Sequence, residues 1–116
     1  MAKLSTHILD TVHGAPAANV LVELFCLDAA VPRLLVSTRT NADGRTDKPL
    51  LENEGVKRGL YRLVFHIGDH FRAKGLKLSD PPFIDVVPVE FGLEDGGSYH
   101  VPLVCSPWTY STYRGS

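Results

Sequence analysis

Histidine is the side chain whose ordinary pKa, about 6.5, lets it take and return a proton near neutral pH. The chain carries it at positions 7, 13, 66, 70 and 100. Two of the five sit where a strand would aim them at a definite face. His7 lies within Ser5-Thr6-His7-Ile8-Leu9 and shares a face with Ser5 and Leu9. His100 lies on the side of its run that carries Ser98 and Pro102, with Tyr99, Val101 and Leu103 on the other. If these two runs pair, both imidazoles stand near each other on an outer sheet face. Such a pair can take a proton from water and deliver one to the leaving nitrogen of an amide-like bond. A zinc site would need a further His, Cys or carboxylate close by, and spacing places none.

Taken singly, each of these histidines is more simply a partly exposed strand residue bonded to a polar neighbour. The same plain reading is preferred for His13, in a turn, and for His66 and His70, which flank the entry to a helix. Arg45 is presented directly after Asn41-Ala42-Asp43-Gly44, where its permanently charged fork can hold an anionic or carbonyl-rich ligand. A lone loop arginine is more simply solvated. Ser116 joins a hydroxyl to the chain's terminal carboxylate, a combination that means nothing without context. No nucleophile elbow, P-loop, dinucleotide fingerprint or HExxH motif occurs.

The elements that would carry these residues read as an all-β domain: short runs rich in Val, Leu, Phe and Tyr, parted by Gly, Pro, Asn and Asp. Strands are expected over Lys3 to Asp10, Val20 to Leu27, Leu34 to Thr40, Gly59 to Ile67, Phe83 to Phe91, Ser98 to Cys105 and Thr109 to Tyr113, with a short edge segment over Thr46 to Leu51. Pro49 confines that segment to an edge. Gly14-Ala15-Pro16 and Asn41 to Gly44 read as turns, and Asp95-Gly96-Gly97 as a hairpin turn. The one helix expected is Asp69 to Leu76, capped by Asp69 and ended by Gly75. This rhythm predicts a two-sheet β-sandwich of about eight strands with one short helix.

The 116 residues suit one domain, 1–116, and 44% apolar with 22% charged residues is an ordinary globular balance. With a net charge of −1 and dispersed Lys and Arg, no basic stripe for nucleic acid is present. No apolar run nears the roughly 18 residues that span a bilayer, and the first ten residues lack a secretory signal's build, so a cytoplasmic protein with no membrane partner is expected. Cys26 and Cys105 lie in apolar runs outside any CxxC pair; buried free thiols are the preferred reading and a disulfide is the alternative.

These pieces join in one pattern. His7-Ile8-Leu9-Asp10 followed by Gly14-Ala15-Pro16-Ala17 resembles the opening signature of the transthyretin superfamily. Tyr99-His100-Val101-Pro102-Leu103, then Ser106 to Thr112, resembles its closing signature, and Tyr113-Arg114-Gly115-Ser116 is similar to the terminal tetrapeptide of its enzymatic branch, the 5-hydroxyisourate hydrolases. The hormone-binding branch has Lys in place of His7, Thr in place of His100, an acidic residue in place of Arg45 and no such ending. Four positions from separate segments thus take the enzyme's choice. Thr109, Cys105 and Ser79-Asp80-Pro81-Pro82 depart from the usual wording and read as packing variation.

The resemblance implies a homotetramer, a dimer of dimers, with active sites at the dimer–dimer interface. It implies hydrolysis of 5-hydroxyisourate to 2-oxo-4-hydroxy-4-carboxy-5-ureidoimidazoline in urate catabolism, without metal or cofactor. One histidine of the His7 and His100 pair would deprotonate water and an imidazolium return the proton, which of them being the base left open. Arg45 would hold the substrate's oxygens, Ser116 would bond the substrate or place the water, and Tyr113 and Arg114 would complete the binding site. The alternative is a transthyretin-type carrier of a small hydrophobic ligand; a purely structural interaction domain is a third reading.

Overall fold

The computed structural model describes residues 2–115. Its strands, in chain order, are β1 (Lys3–Ser5), β2 (Ile8–Asp10), β3 (Ala15–Pro16), β4 (Leu21–Cys26), β5 (Arg33–Arg39), β6 (Leu51–Glu52), β7 (Gly59–Phe65), β8 (Val87–Leu93), β9 (Ser98–His100), β10 (Leu103–Cys105) and β11 (Tyr110–Thr112). A 3-10 turn, Asn53–Gly55, follows β6, and the helix α1 (Ile67–Ala73) follows β7.

One layer is the antiparallel sheet β5-β4-β7-β8. The other is built from two short sheets, β6-β1-β9 and β11-β10-β2-β3. These continue one another. β1 runs parallel to β9, with Lys3 beside Ser98 and Ser5 beside His100; β2 runs parallel to β10 in the same register, with Ile8 beside Leu103. Between them Val101 N–H donates to the Ser5 carbonyl (2.9 Å) and Leu103 N–H to that of His7 (2.8 Å). The buried Thr6 hydroxyl donates to the Val101 carbonyl at 2.7 Å. That side-chain bond lies at the break in the strand ladder. The runs expected over Lys3 to Asp10 and Ser98 to Cys105 are thus real, but each is two strands.

Alternation sends Leu4, Thr6, Ile8 and Asp10 inward and turns Ser5, His7 and Leu9 outward. Leu4, Ile8, Val101 and Leu103 from this layer pack with Val22, Leu24, Leu63 and Phe65 from the other, all of them buried. Deleting a side chain such as Phe65 from this interior would cost about 3–5 kcal/mol.

Several expectations change. Ala15 and Pro16, expected within a turn, form the short strand β3 against β2, and the edge segment expected over Thr46 to Leu51 becomes strand only at Leu51, the first residue of β6. Asp95-Gly96-Gly97 is a tight turn, with Gly96 at φ 71°, but not a hairpin: β8 pairs with β7 while β9 pairs with β1, so the turn carries the chain from one layer to the other. α1 starts two residues before Asp69 and has no side-chain cap; Asp69 lies in its first turn and pairs with Arg72 at 2.9 Å. Its end is as expected, because Gly75 at φ 83° gives its N–H to Arg72 and Leu76 gives its N–H to Phe71, a Schellman closure that turns Leu76 onto the core. Finally, residues 83–86 are not strand; the expected run over Phe83 to Phe91 begins pairing only at Val87. Among the described residues no helix is long and apolar enough to cross a membrane.

Candidate active site

The constant register of the two parallel pairs sets His7 and His100 on the same outer face. Ser5, directly beside His100, puts its hydroxyl 2.9 Å from His100 Nδ1. Arg45 reaches this face because the loop before it folds onto β2. Asn41 holds that loop: its side-chain oxygen accepts the N–H groups of Asp43 (2.9 Å) and Arg45 (3.3 Å), and its carbonyl accepts that of Gly44 (2.9 Å). Gly44 then passes its carbonyl to the Ile8 N–H at 2.9 Å and lies so close that a Cβ there would sit 2.6 Å from the Ile8 carbonyl oxygen. With φ at 73°, the position is built for glycine. The outcome is an antiparallel bridge between Arg45 and His7. Among the described residues the Arg45 side chain, which is exposed, has no ion-pair partner.

Lys3, Ser5, Arg45, Ser98, Tyr99 and His100 line a cavity of about 310 Å³ on this face. His7 is not in that lining, though it is near enough to act electrostatically on His100. Burial first, and then repulsion from Arg45, His7 and Lys3, holds the His100 imidazole below its ordinary value. A histidine so placed stays neutral at pH 7 and is free to accept a proton.

The end of the chain straps this strand. Gly115 N–H donates to the His100 carbonyl at 2.7 Å, and a Cβ on Gly115 would sit 2.9 Å from His100 Cδ2, so the tail lies against the ring's carbon edge. Arg114 goes elsewhere. Its guanidinium stacks 4.4 Å over the Tyr99 ring, on the other side of the strand from His100, and donates to the Ser98 carbonyl at 3.4 Å. Tyr113 is 61% exposed and, with Arg114, borders a separate apolar recess of about 240 Å³ beside Phe91 and Tyr99. Within one chain, then, His7, Arg45, His100 and the Gly115 backbone converge, whereas the Tyr113 and Arg114 side chains do not. Ser116 lies outside the described residues.

Reading the sequence for chemistry missed Ser5, Lys3, Ser98 and Tyr99 as neighbours of His100. For Ser5 a signal was present, since it lies two residues before His7 and therefore on the same face. The other histidines do structural work. His66 pairs with Glu23 at 2.7 Å. His70 is buried and pairs with Asp10 at 2.8 Å, and His13 meets the same Asp10 oxygen at 2.6 Å. Burial alone would raise the Asp10 carboxyl, but its hydrogen bonds with His70 and His13 bring it below the ordinary value. Both cysteines are free. Cys105 is buried, its thiol pushed up to about 12 by burial and then by Asp10, whereas Cys26 is only half-buried.

Two facing β-layers with, among the described residues, one α-helix after β7 define a transthyretin-like β-sandwich. The chain belongs to the HIUase/Transthyretin family, whose model matches residues 4–115. It is 50% identical over 115 residues to 5-hydroxyisourate hydrolase 2 of Rhizobium meliloti, covering 98% of this chain and 96% of the relative. Among solved structures, (S)-allantoin synthase superposes with a TM-score of 0.93 at 39% identity; the match covers 99% of this chain and 44% of that longer one. Sea bream transthyretin in complex with thyroxine superposes with a TM-score of 0.87 at 26% identity, over 98% of this chain and 95% of the other.

Proposed function

We propose that this chain, a single hydrolase domain over residues 1–116, hydrolyses 5-hydroxyisourate, opening its six-membered ring to 2-oxo-4-hydroxy-4-carboxy-5-ureidoimidazoline in urate catabolism. The observation that carries this reading is the meeting of Arg45 and His7 in one backbone bridge beside a His100 held neutral, in a family whose full-length relatives bear that activity's name. A neutral imidazole takes a proton from water as the water oxygen bonds to the ring carbonyl carbon. The carbonyl oxygen gains charge, which Arg45 offsets. The carbon–nitrogen bond then breaks, and the imidazolium returns the proton to the departing nitrogen.

The cavity of about 310 Å³ lies on an outer face of one chain, open on the side away from the sheet. A homotetramer, assembled as a dimer of dimers, would supply the opposite wall, with Tyr113, Arg114 and Ser116 completing sites shared across the interface. Two features support assembly: β8 and β11, like the other edge strands, have a described sheet partner on one side only, and Tyr110 in β11 and Trp108 just before it are 44% and 65% exposed. The proposed setting is the cytoplasm.

A second reading, a carrier for a hydrophobic ligand, is favoured by the overlay on a thyroxine-bound transthyretin. Freshly made 5-hydroxyisourate, followed by ultraviolet decay with and without the protein beside a thyroxine titration, separates the two. Accelerated decay without hormone binding is expected; hormone binding with unaltered decay would make the chain a carrier.

A further inference from the structure

We propose that Ser5 is a positioning residue that fixes the tautomer of His100, accepting the Nδ1 proton so that Nε2 presents its lone pair to the cavity. The inference rests on the hydrolytic reading above and extends it to a residue outside the pair of histidines. Two described residues lie against the His100 ring. Ser5 Oγ is 2.9 Å from Nδ1. Gly115 covers Cδ2 and Cγ, its would-be Cβ lying 2.9 and 3.3 Å from them. The Nε2 and Cε1 edge is what remains for a ligand.

A neutral imidazole carries one ring proton, and the bond made by one nitrogen decides the role of the other. If the Ser5 hydroxyl donated to Nδ1, Nε2 would bear the proton and point a positive N–H dipole at its surroundings. Those surroundings are cationic: Arg45 and Lys3 line the same cavity, and both act on the His100 ring together with His7. An electron pair facing fixed positive charge is the lower-energy arrangement, and it requires Nδ1–H to donate to Ser5. Among the described residues that line this cavity none is a carboxylate to reverse that balance.

The position of Ser5 is over-determined, which suits a residue that must hold another still. β1 lies between β6 and β9, and the Ser5 carbonyl accepts the Val101 N–H at 2.9 Å. Backbone and side chain of Ser5 thereby engage adjacent residues of one neighbouring segment. Thr6 adds a second bond to the same segment through Val101.

The test compares the intact protein with Ser5→Ala and Ser5→Thr by long-range proton–nitrogen NMR of the histidine rings, His100 being assigned by its loss in His100→Asn, and by steady-state ring opening of 5-hydroxyisourate across pH. In the intact protein at pH 8, Nδ1 is expected to read as the protonated nitrogen and Nε2 as the bare one. Ser5→Ala should move the ring toward the Nε2-protonated form and lower kcat about 10- to 100-fold with KM changed little, between the loss of one hydrogen bond and the loss of a correct tautomer. Ser5→Thr, which keeps the hydroxyl, should restore both readouts. A protonated Nε2 in the intact protein would overturn the proposal, as would a Ser5→Ala variant with unchanged kcat and unchanged nitrogen shifts. Should the intact protein not open the ring at all, the hydrolytic reading fails, and the nitrogen spectrum still decides the tautomer.

Discussion

His100 and Arg45 show how differently two site residues owe their character to the fold. His100 is made neutral by where it lies: burial and the charges of Arg45, His7 and Lys3 all oppose its protonation. Its folded pKa is therefore below its unfolded one of about 6.5. Activity resting on the neutral ring should be full at pH 8 and fall with a midpoint below about pH 6.5, a profile measurable by initial rates in buffers where the oligomer persists. The same sign governs stability: the contribution is complete above about pH 6.5 and is lost as pH falls through the folded value. Arg45, by contrast, keeps its charge everywhere, and the fold supplies only its address. Arg45→Lys retains the charge and loses the planar fork; ring opening should slow about 10- to 100-fold, read as kcat/KM. Both residue types were legible in the sequence. The depression of the His100 pKa was not, because it comes from burial and from charges on two other segments, the run of Lys3 and His7 and the loop of Arg45.

The elements bring these residues together, and Gly44 and Gly115 set how closely. Gly44 puts its carbonyl on the Ile8 amide with no space for a Cβ and at positive φ. Gly44→Ala should cost about 1–3 kcal/mol in chemical denaturation and should lower activity by moving Arg45 off His7. Asp10 ties β2 to α1: it accepts the Val12 and His13 N–H groups through one oxygen and meets His70 and His13 with the other. Asp10→Ala leaves these groups unpaired and should destabilise the fold by roughly 3 kcal/mol while the outer face keeps its geometry. Periodicity revealed which runs form strands and which side of each faces outward, since alternation is local. It could not reveal that the first and last long runs pair in parallel, nor that each is interrupted beside Thr6, because those features are contacts between residues far apart in sequence. Asp95-Gly96-Gly97 misled for the opposite reason. Its turn chemistry is the same whether the flanking strands pair with each other or leave for different layers.

At the scale of the molecule, one chain offers a face and not an enclosed site. The tail meets the His100 strand through Gly115 and anchors on Tyr99 through Arg114, so it holds the site's wall whether or not its side chains touch substrate. Removing 113–116 should leave β11 and the sizing profile of the assembly intact while ring opening falls at least about 100-fold. Loss of assembly together with activity would instead make the tail an interface element. The central claim, that His7 and His100 together carry hydrolysis of 5-hydroxyisourate, is tested most directly by the ultraviolet decay of freshly prepared substrate with the intact protein and with the His7→Ala/His100→Ala double variant, at matched oligomeric state. Decay strongly accelerated by the intact protein, and slowed about 10²- to 10⁴-fold in the double variant, is the predicted result. A double variant as fast as the intact protein, or an intact protein no faster than buffer, would contradict it.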